Sequence, residues 1–234
     1  MTTEWQNALR THWGIDAALF KLPGEYDLNF MAETSDGDSF VLKVMRPDCH
    51  PGLVALQIAA LRHIAERAPD LPFPAIIPTL SGDPMIAHEA SNGETRLLWL
   101  LERLPGRTFA EALPKTAKII LDLGRLIGSS DLALADFNEP SLTRDFKWDL
   151  MQAHWIRPEI AGVATEPRRA LLERIVTAFD AIHPDLQRLP IQAIHNDVND
   201  YNILVDGALS QPHHISGLID LGDICAAPRI CNLA

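Results

Sequence analysis

Towards its C-terminal end the chain reads His195-Asn196-Asp197-Val198-Asn199-Asp200-Tyr201-Asn202-Ile203-Leu204-Val205. This run ends in an apolar strand, and it carries a carboxylate and an amide at a separation that suits phosphoryl transfer. A carboxylate on a rigid loop can orient an attacking hydroxyl and accept its proton, and an amide oxygen five residues later can reach a magnesium ion that bridges the phosphates. We therefore predict that Asp197 is the catalytic carboxylate and that Asn202 is a metal ligand.

A second carboxylate follows in Gly217-Leu218-Ile219-Asp220-Leu221-Gly222-Asp223, where a short apolar strand leads into a glycine-containing turn. The polar residues 206–216 between the two runs contain Gly and Pro and predict the connection of a hairpin. Pairing of the two strands would bring Asn202 and Asp220 together, so Asp220 is the predicted second metal ligand. Asp223 could serve either the metal site or the substrate.

Residues 195–205 and 217–223 together resemble the aminoglycoside phosphotransferase and choline kinase superfamily. Its hydroxylysine-kinase-like branch reads His-Gly-Asp-x-Asn-Asp-x-Asn-Ile-Leu-Val and then Ile-Asp-Phe-Gly-Asp. Protein kinases have Arg where this chain has Asn196, which points towards small-molecule kinases. The resemblance implies an α+β, protein-kinase-like fold of two lobes. It also implies transfer of the γ-phosphoryl group of ATP, or alternatively GTP, to a hydroxyl of a small molecule with the help of Mg²⁺.

The first part of the chain has strand patterns that predict a small antiparallel sheet. The five predicted strands are residues 18–21, 28–32, 39–45, 85–88 and 95–102. Residues 4–14 predict a short amphipathic helix, and residues 53–67 predict the one helix of an N-terminal lobe. Lys43 shares an apolar strand face with Val41 and Met45, and the resemblance implies that it pairs with the α and β phosphates of ATP. The alternative is a lysine on the solvated face of a half-buried strand.

The resemblance implies two further parts of a nucleotide site. The family has a glutamate that pairs with the strand lysine, and the matching residue here is Gln57, which can accept a hydrogen bond from Lys43 but carries no charge. The apolar run into Glu102-Arg103-Leu104-Pro105-Gly106 resembles the hinge whose backbone groups bind adenine, so Glu102 and Leu104 are predicted there. An edge strand running into any Pro-Gly loop would look similar. The predicted boundary separates an N-terminal lobe, residues 1–103, from a C-terminal lobe, residues 104–234.

The second lobe is predicted to be mainly helical. Its three predicted helices cover residues 117–129, residues 145–156 and a segment capped by Thr165-Glu166-Pro167. In the second of these, Trp148 and Trp155 are seven residues apart. By resemblance, Trp148, Asp145 and Asp149 could bind an amine, and the alternative is a core tryptophan beside solvated carboxylates.

Composition narrows the class of partner. The chain has 234 residues, of which 20 are basic and 31 acidic, giving a net charge of −11. A nucleic-acid surface is therefore not expected, whereas a cationic small-molecule acceptor is compatible with this charge. Three cysteines argue against a disulfide framework, and we find neither a leader pattern nor an apolar run long enough to span a membrane. We expect a cytoplasmic protein that is not associated with a membrane.

Two departures from the family pattern keep alternatives open. Ala234 follows Asp220 by only fourteen residues, whereas the family continues with further helices, so we expect a shortened chain or the first part of a longer protein with further C-terminal domains. In the hydroxylysine-kinase-like branch such domains include an aminotransferase. Asn232 stands where the family commonly has Asp, which is expected to loosen the support of the catalytic loop.

Together with Gln57, these departures motivate the alternative of a weakly active or inactive nucleotide-binding or regulatory domain. A purely structural module would leave Asp197, Asn202 and Asp220 unexplained.

Overall fold

The computed structural model describes residues 2–208 and 211–233. It combines antiparallel sheets with helices, which confirms the predicted α+β class. The helices are α1 (Thr2–Trp13), α2 (Pro51–Arg67), α3 (Ala117–Ala133), α4 (Ile156–Glu159) and α5 (Glu166–Leu186). The strands are β1 (Ala17–Leu22), β2 (Leu28–Thr34), β3 (Ser39–Val44), β4 (Ile76–Ile77), β5 (Ile86–Glu89), β6 (Thr95–Glu102), β7 (Arg107–Thr108), β8 (Ile191–Ile194), β9 (Ile203–Ala208), β10 (Gln211–Leu218) and β11 (Cys225–Pro228).

The first six strands form one antiparallel sheet in the order β1-β2-β3-β6, with β4 and β5 both paired to the outer edge of β6. The prediction of five strands was therefore wrong by one strand, β4. This strand has two residues and lies between Pro74 and Pro78, so it is too short for a pattern of alternating apolar residues to show. This part of the chain also contains two helices, α1 and α2, which correspond to the helices predicted at residues 4–14 and 53–67.

The two faces of the sheet are covered by different helices. Leu98 and Leu100 of β6 are buried with Leu9 and other residues of α1, whereas Trp99 and Leu101 are buried with residues of α2. Successive side chains of a strand point to opposite faces, so the continuous apolar run of β6 is explained by burial on both sides. The prediction of an amphipathic first helix is confirmed, since α1 buries Trp5, Ala8, Leu9 and Trp13.

The apolar core around α2 extends beyond the first sheet. It contains Ile64 of α2 and Trp99 of β6 together with Phe137, Leu142 and Leu221 from the second part of the chain. One continuous core thus joins the segments on both sides of residue 103. The boundary at that residue stays a prediction.

In the second part of the chain, α3 packs against β8 and β10. Strands β9 and β10 form the predicted hairpin, with β7 on the other side of β9 and a separate pairing of β8 with β11. The strands are longer than predicted: they include residues 206–208 and 211–216, which the sequence had suggested as connection. The sequence did not predict these strand residues, because they lack the alternation of apolar and polar residues that is typical of a strand.

The prediction of a helix at residues 145–156 was wrong. Residues 150–155 form a 3₁₀ segment, and α4 begins only at Ile156. Two backbone carbonyls that a helix would use are bound by side chains instead: Trp155 Nε1 donates to Lys147 O at 2.9 Å, and Gln152 Nε2 donates to Arg144 O at 2.7 Å. These side-chain contacts compete with helical hydrogen bonds in residues 144–149. The spacing of apolar residues in the sequence does not predict them.

The third predicted helix is present as α5, but its apolar stripe is largely exposed. Leu171, Ile175 and Ile182 are about half exposed, whereas Val176 of this helix is buried. Trp148 is likewise exposed, which contradicts its interpretation as a core tryptophan. Among the described helices, none is long and apolar enough to cross a membrane.

Candidate active site

The catalytic loop begins at a buried histidine. His195 has no exposed surface, its Nδ1 accepts a hydrogen bond from Asp197 N at 3.3 Å, and its Nε2 lies 3.1 Å from Ile219 O. Burial lowers the pKa of His195, so the ring is neutral and Nε2 carries the proton that it donates to Ile219. His195 thus connects the two motifs by hydrogen bonds and holds the loop.

The Asp197 carboxylate is held by two amide side chains. Asn202 Nδ2 donates to Asp197 Oδ2 at 2.7 Å and to Asp197 O at 2.9 Å, while Asn199 Nδ2 donates to Asp197 Oδ1 at 2.7 Å. The orientation of the Asn199 amide follows from its other bonds, since its oxygen accepts from the backbone N of Tyr201 and of Asn202. Asn199 was not predicted from the sequence as a site residue. Its position two residues after Asp197 is the signal that could have identified it, because Asn at such a spacing often binds nearby backbone groups.

The hairpin places Asn202 beside the second motif, because Ile219 N donates to Asn202 O at 2.9 Å. Asp220 follows directly and has a left-handed backbone conformation, with φ of 65°. Its Oδ1 accepts from Gly222 N at 3.1 Å. The prediction that paired strands bring Asn202 and Asp220 together is thus confirmed.

Lys43 reaches the same carboxylate from the first sheet. Its Nζ lies 3.0 Å from Asp220 Oδ1 and 5.4 Å from the ring centroid of Trp99, and 12% of its side chain is exposed. Lys43 therefore occupies a mostly buried position and has an anionic partner, as its place on an apolar face required. The charge of Lys43 is the main reason that the pKa of Asp220 lies below its usual range.

Gln57 is buried but does not contact Lys43 through any hydrogen bond among the described residues. Its Nε2 donates to Leu53 O at 3.3 Å within α2, and its Oε1 has no hydrogen-bond partner in the part of the chain that the structure describes. A buried amide oxygen without a partner carries a free-energy cost, which a donor from a ligand or from Lys43 would remove.

The two predicted hinge residues have other contacts. Glu102 ends β6 with an exposed side chain, and its backbone N donates to Ala75 O at 2.8 Å. Leu104 packs against Gly217, where an added Cβ would lie 2.8 Å from Leu104 Cδ1. In residues 2–208 and 211–233, no hydrogen bond joins Glu102 or Leu104 to the cluster around Asp197 and Asp220.

A second layer of polar residues supports the loop. Asn196 has a left-handed φ of 68°, which asparagine tolerates better than most residues, and its backbone N donates to Asn232 Oδ1 at 2.9 Å. Asn232 Nδ2 in turn donates to the buried carboxylate of Asp131 on α3 at 2.9 Å. Asn232 therefore bonds to the loop through its amide oxygen and to Asp131 through its amide nitrogen, and burial raises the pKa of Asp131. The loosening expected from Asn232 stays a prediction.

Asp223 lies among the carboxylates of the site. Burial, together with the charges of Asp197 and Asp220, raises its pKa to about 6, while the nearby Arg144 acts in the opposite direction. A carboxyl group with such a pKa is a typical feature of a functional site, although ion-pair networks produce the same shift.

Comparison with known proteins places this geometry in a family. The model of the phosphotransferase enzyme family matches residues 21–234. The chain belongs to this phosphotransferase family. A hydroxylysine kinase from Danio rerio is 28% identical over 233 residues, covering 95% of this chain and 65% of the relative. The phosphotransferase chain therefore spans slightly less than two thirds of that relative's length.

Two solved structures show the same fold. One is a microcompartment-associated aminopropanol kinase, with a TM-score of 0.71 and 23% identity, covering 97% of this chain and 70% of the other. The second is the amicoumacin kinase hAmiN in complex with AMP-PNP, Ca²⁺ and Ami, with a TM-score of 0.67 and 13% identity over 92% and 61% of the two chains. These similarities confirm the predicted protein-kinase-like, two-lobed fold of this phosphotransferase.

Proposed function

We propose that the chain is the nucleotide-binding and catalytic part of a small-molecule kinase. The reaction would move the γ-phosphoryl group of ATP, with GTP as the alternative, to a hydroxyl of an acceptor that carries an amine. The bond between the γ-phosphorus and the bridging oxygen breaks, a bond to the acceptor oxygen forms, and the acceptor proton passes to a protein carboxylate. The nucleoside diphosphate is the leaving group.

The observation that carries the proposal is one continuous polar chain through both motifs. Asp197 is bonded to Asn202, Asn202 to the backbone beside Asp220, and Asp220 to Lys43. A carboxylate that orients the acceptor, oxygen ligands for a metal and a cation for the phosphates are the parts that phosphoryl transfer needs. A purely structural module has no requirement for all of them within hydrogen-bond distance.

The oxygen atoms of the site fit a magnesium ion. Asn202 Nδ2 donates a hydrogen bond to Asp197, and Asn202 Oδ1 has no hydrogen-bond partner among the described residues. Asp220 Oδ2 has none among them either. Mg²⁺ prefers such amide and carboxylate oxygens, and when bound it would neutralise charge on the phosphates. Asn202 and Asp220 would hold it. Lys43 would move its ammonium group from Asp220 to the nucleotide phosphates.

Asp197 would bind the hydroxyl of the acceptor. Its two oxygens each accept one amide N–H, which fixes the plane of the carboxylate and leaves lone pairs for the acceptor hydroxyl. A cavity of about 210 Å³ opens beside it, between the loop and the segment around Asn232. The excess of acidic over basic residues and the similarity to hydroxylysine kinase favour an acceptor with an ammonium group, with hydroxylysine the first candidate.

The test is ATP or GTP consumption with Mg²⁺ in the presence of hydroxylysine, amino alcohols, homoserine, choline and aminoglycosides. We expect turnover with one amine-bearing acceptor and a loss of at least about a hundredfold in kcat for Asp197→Ala, in line with the usual contribution of a general base. Asp185→Ala is the matched control, because this carboxylate is exposed at the end of α5 and pairs with Arg188 just beyond the helix. Turnover that survives Asp197→Ala unchanged would refute the assignment.

A second candidate function is that of a nucleotide-binding or regulatory domain, with little or no turnover, within a larger protein. Gln57 favours it, because the residue that would pair with Lys43 has no charge and leaves a buried oxygen unsatisfied. This candidate predicts that ATP and Mg²⁺ raise the melting temperature while no acceptor in the panel is phosphorylated. Asp197→Ala would then leave nucleotide binding unchanged, whereas Lys43→Met would weaken it.

A further inference from the structure

Arg144 contacts the turn that follows Asp220 from outside the two sequence motifs. Its Nη1 donates to Ile224 O at 2.7 Å and its Nη2 donates to Gly222 O at 3.1 Å. Nη1 also donates to Ser141 O at 3.2 Å. One planar group thus binds two carbonyls of the turn and ties them to a segment 80 residues earlier in the chain.

The guanidinium group is itself held in place. It lies over the ring of Phe146, with 4.4 Å from Cζ to the ring centroid. The carbonyl of Arg144 accepts from Gln152 Nε2 at 2.7 Å, and the same amide donates to Asp149 Oδ2 at 2.8 Å. These contacts are made by the non-helical segment of residues 144–149. The conformation of that segment therefore determines where Arg144 meets the turn after Asp220.

The turn depends on this contact for its orientation. The N–H of Gly222 donates to Asp220 Oδ1, and the carbonyl of Gly222 accepts from Arg144. Gly222 therefore connects the Asp220 carboxylate with the guanidinium group of Arg144. On the other side, the side chain of Leu221 is buried in the core against α2. With Leu221 fixed in the core and the carbonyls of Gly222 and Ile224 fixed by Arg144, these peptide groups cannot rotate without losing a charge-assisted hydrogen bond.

We propose that Arg144 is a positioning residue that keeps the Asp220 carboxylate in the orientation for binding the metal and the nucleotide phosphates. This inference rests on the proposed function, because it concerns the same site. An arginine is required, since its fork of donors spans two carbonyls in one plane, whereas a lysine offers its donors from a single nitrogen. Arg144 acts through the turn and does not touch the substrate.

The test uses Arg144→Met and Arg144→Lys, with Arg188→Met as the matched control. Arg188 is also an arginine, but it is exposed just after the end of α5 and pairs with Asp185. The readout is the Mg²⁺ concentration at which AMP-PNP reaches half of its stabilising effect on thermal unfolding, together with direct Mn²⁺ binding followed by electron paramagnetic resonance. The Mn²⁺ titration is made below the unfolding transition of each variant, so that it reports on the folded protein.

We expect Arg144→Met to raise the half-saturating Mg²⁺ concentration about tenfold or more, which is the usual effect of removing an outer partner of a metal ligand. Arg144→Lys should show most of this loss, and Arg188→Met none. A residue that only stabilised the fold would lower the melting temperature without changing the metal requirement of the folded protein.

Equal metal requirements in Arg144→Met and Arg188→Met would overturn the inference and leave the proposed function intact. If the unsubstituted chain shows no metal-dependent nucleotide binding, both are overturned. Should Arg144→Met fail to fold, Arg144→Lys decides the question, because it keeps the charge and the aliphatic stem. Full metal affinity in Arg144→Lys would contradict the requirement for a guanidinium fork.

Discussion

At the residue scale, several side chains of the site have two partners and so couple neighbouring motifs. Asn202 donates to Asp197 through its side chain, and its carbonyl accepts from the backbone N of Ile219, next to Asp220. The proximity of Asp197, Asn202 and Asp220 could be predicted, because the two motifs are close in sequence and are joined by a hairpin. Lys43 is 177 residues before Asp220, and its role was predicted from the family resemblance. Asn232 could be noticed but not interpreted, because its partner Asp131 is 101 residues away and only the fold brings them together.

The Asn232 and Asp131 pair provides a test of loop support. In Asn232→Asp the amide donor is lost and two buried carboxylates face each other, so one of them must take up a proton. We expect a loss of roughly 1–3 kcal/mol in the free energy of unfolding near pH 7 and a smaller loss at acidic pH. Denaturant unfolding at several pH values measures it.

The exchanged pair, Asn232→Asp with Asp131→Asn, is the control for this prediction. It restores one donor and one carboxylate, so it should recover much of the lost stability in a double-mutant cycle. If the exchanged pair is as unstable as the sum of the two single variants, the bond between these residues does not support the loop.

Asp223 makes the stability of the ligand-free protein depend on pH. Its folded-state pKa of about 6 lies above the ordinary value of 3.8, so between these pH values the folded state binds the proton more tightly than the unfolded state. Its contribution to stability therefore falls as pH rises from about 4 to about 6 and stays low above that. Asp223→Asn should match the unsubstituted protein near pH 4 and be more stable by roughly 1–3 kcal/mol at pH 7.5.

Thermal unfolding across this pH range checks the prediction, with Asp185→Asn as the control for an exposed carboxyl group. A stability difference for Asp223→Asn that does not vary with pH would show that the carboxyl group titrates normally in the folded protein.

At the element scale, long elements with a clear apolar period were predictable, and short or irregular ones were not. The stripes of α1 and α3 follow the helical period, and strands β3 and β6 have apolar runs of ordinary length. Strand β4 and the 3₁₀ path at residues 150–155 are set by pairing with β6 and by side-chain bonds to carbonyls. Such contacts are made by the tertiary structure and leave no period in the sequence.

The junction between β6 and β7 is the element whose close packing can be tested most directly. Gly106 has a φ of +106°, and an added Cβ would lie 2.5 Å from Val205 O in β9. Gly37 also has a positive φ, of +93°, but no atom lies within 4 Å of an added Cβ. The pair therefore separates backbone strain from a steric clash.

We expect Gly37→Ala to cost about 1–2 kcal/mol, the penalty for a side chain in a left-handed conformation. Gly106→Ala should cost more, because the clash is with backbone atoms of β9 and the hairpin must shift. Denaturant unfolding of both variants gives the difference. Equal costs would mean that the junction is free to move away from β9.

At the scale of the whole molecule, the core around α2 connects the first sheet with the second part of the chain. It is the reason that Lys43, on β3, and Asp220, after β10, can meet at a fixed distance. A site built from both parts requires both parts to be folded at the same time. We therefore expect them to unfold together. The boundary near residue 103 would then divide the topology without dividing the molecule into independently stable units.

Cooperative unfolding is the expected consequence. Tryptophan fluorescence reports mainly on the first part, where Trp5, Trp13 and Trp99 are buried, and far-ultraviolet circular dichroism also reports on the long helices α3 and α5. We expect the two thermal transitions to coincide and Ile64→Ala, in α2, to lower both by the same amount. Its cost should be about 2–5 kcal/mol, as for other fully buried large-to-small substitutions.

Ile175→Ala is the matched control, because it removes the same atoms from a residue that is 54% exposed on α5. It should change the free energy of unfolding by no more than about 0.5 kcal/mol. Two separate transitions, or a shift of the fluorescence transition alone in Ile64→Ala, would show that α2 stabilises only the first sheet. In that case the distance between Lys43 and Asp220 would have to be set by the nucleotide, and the metal requirement of binding would depend strongly on nucleotide concentration.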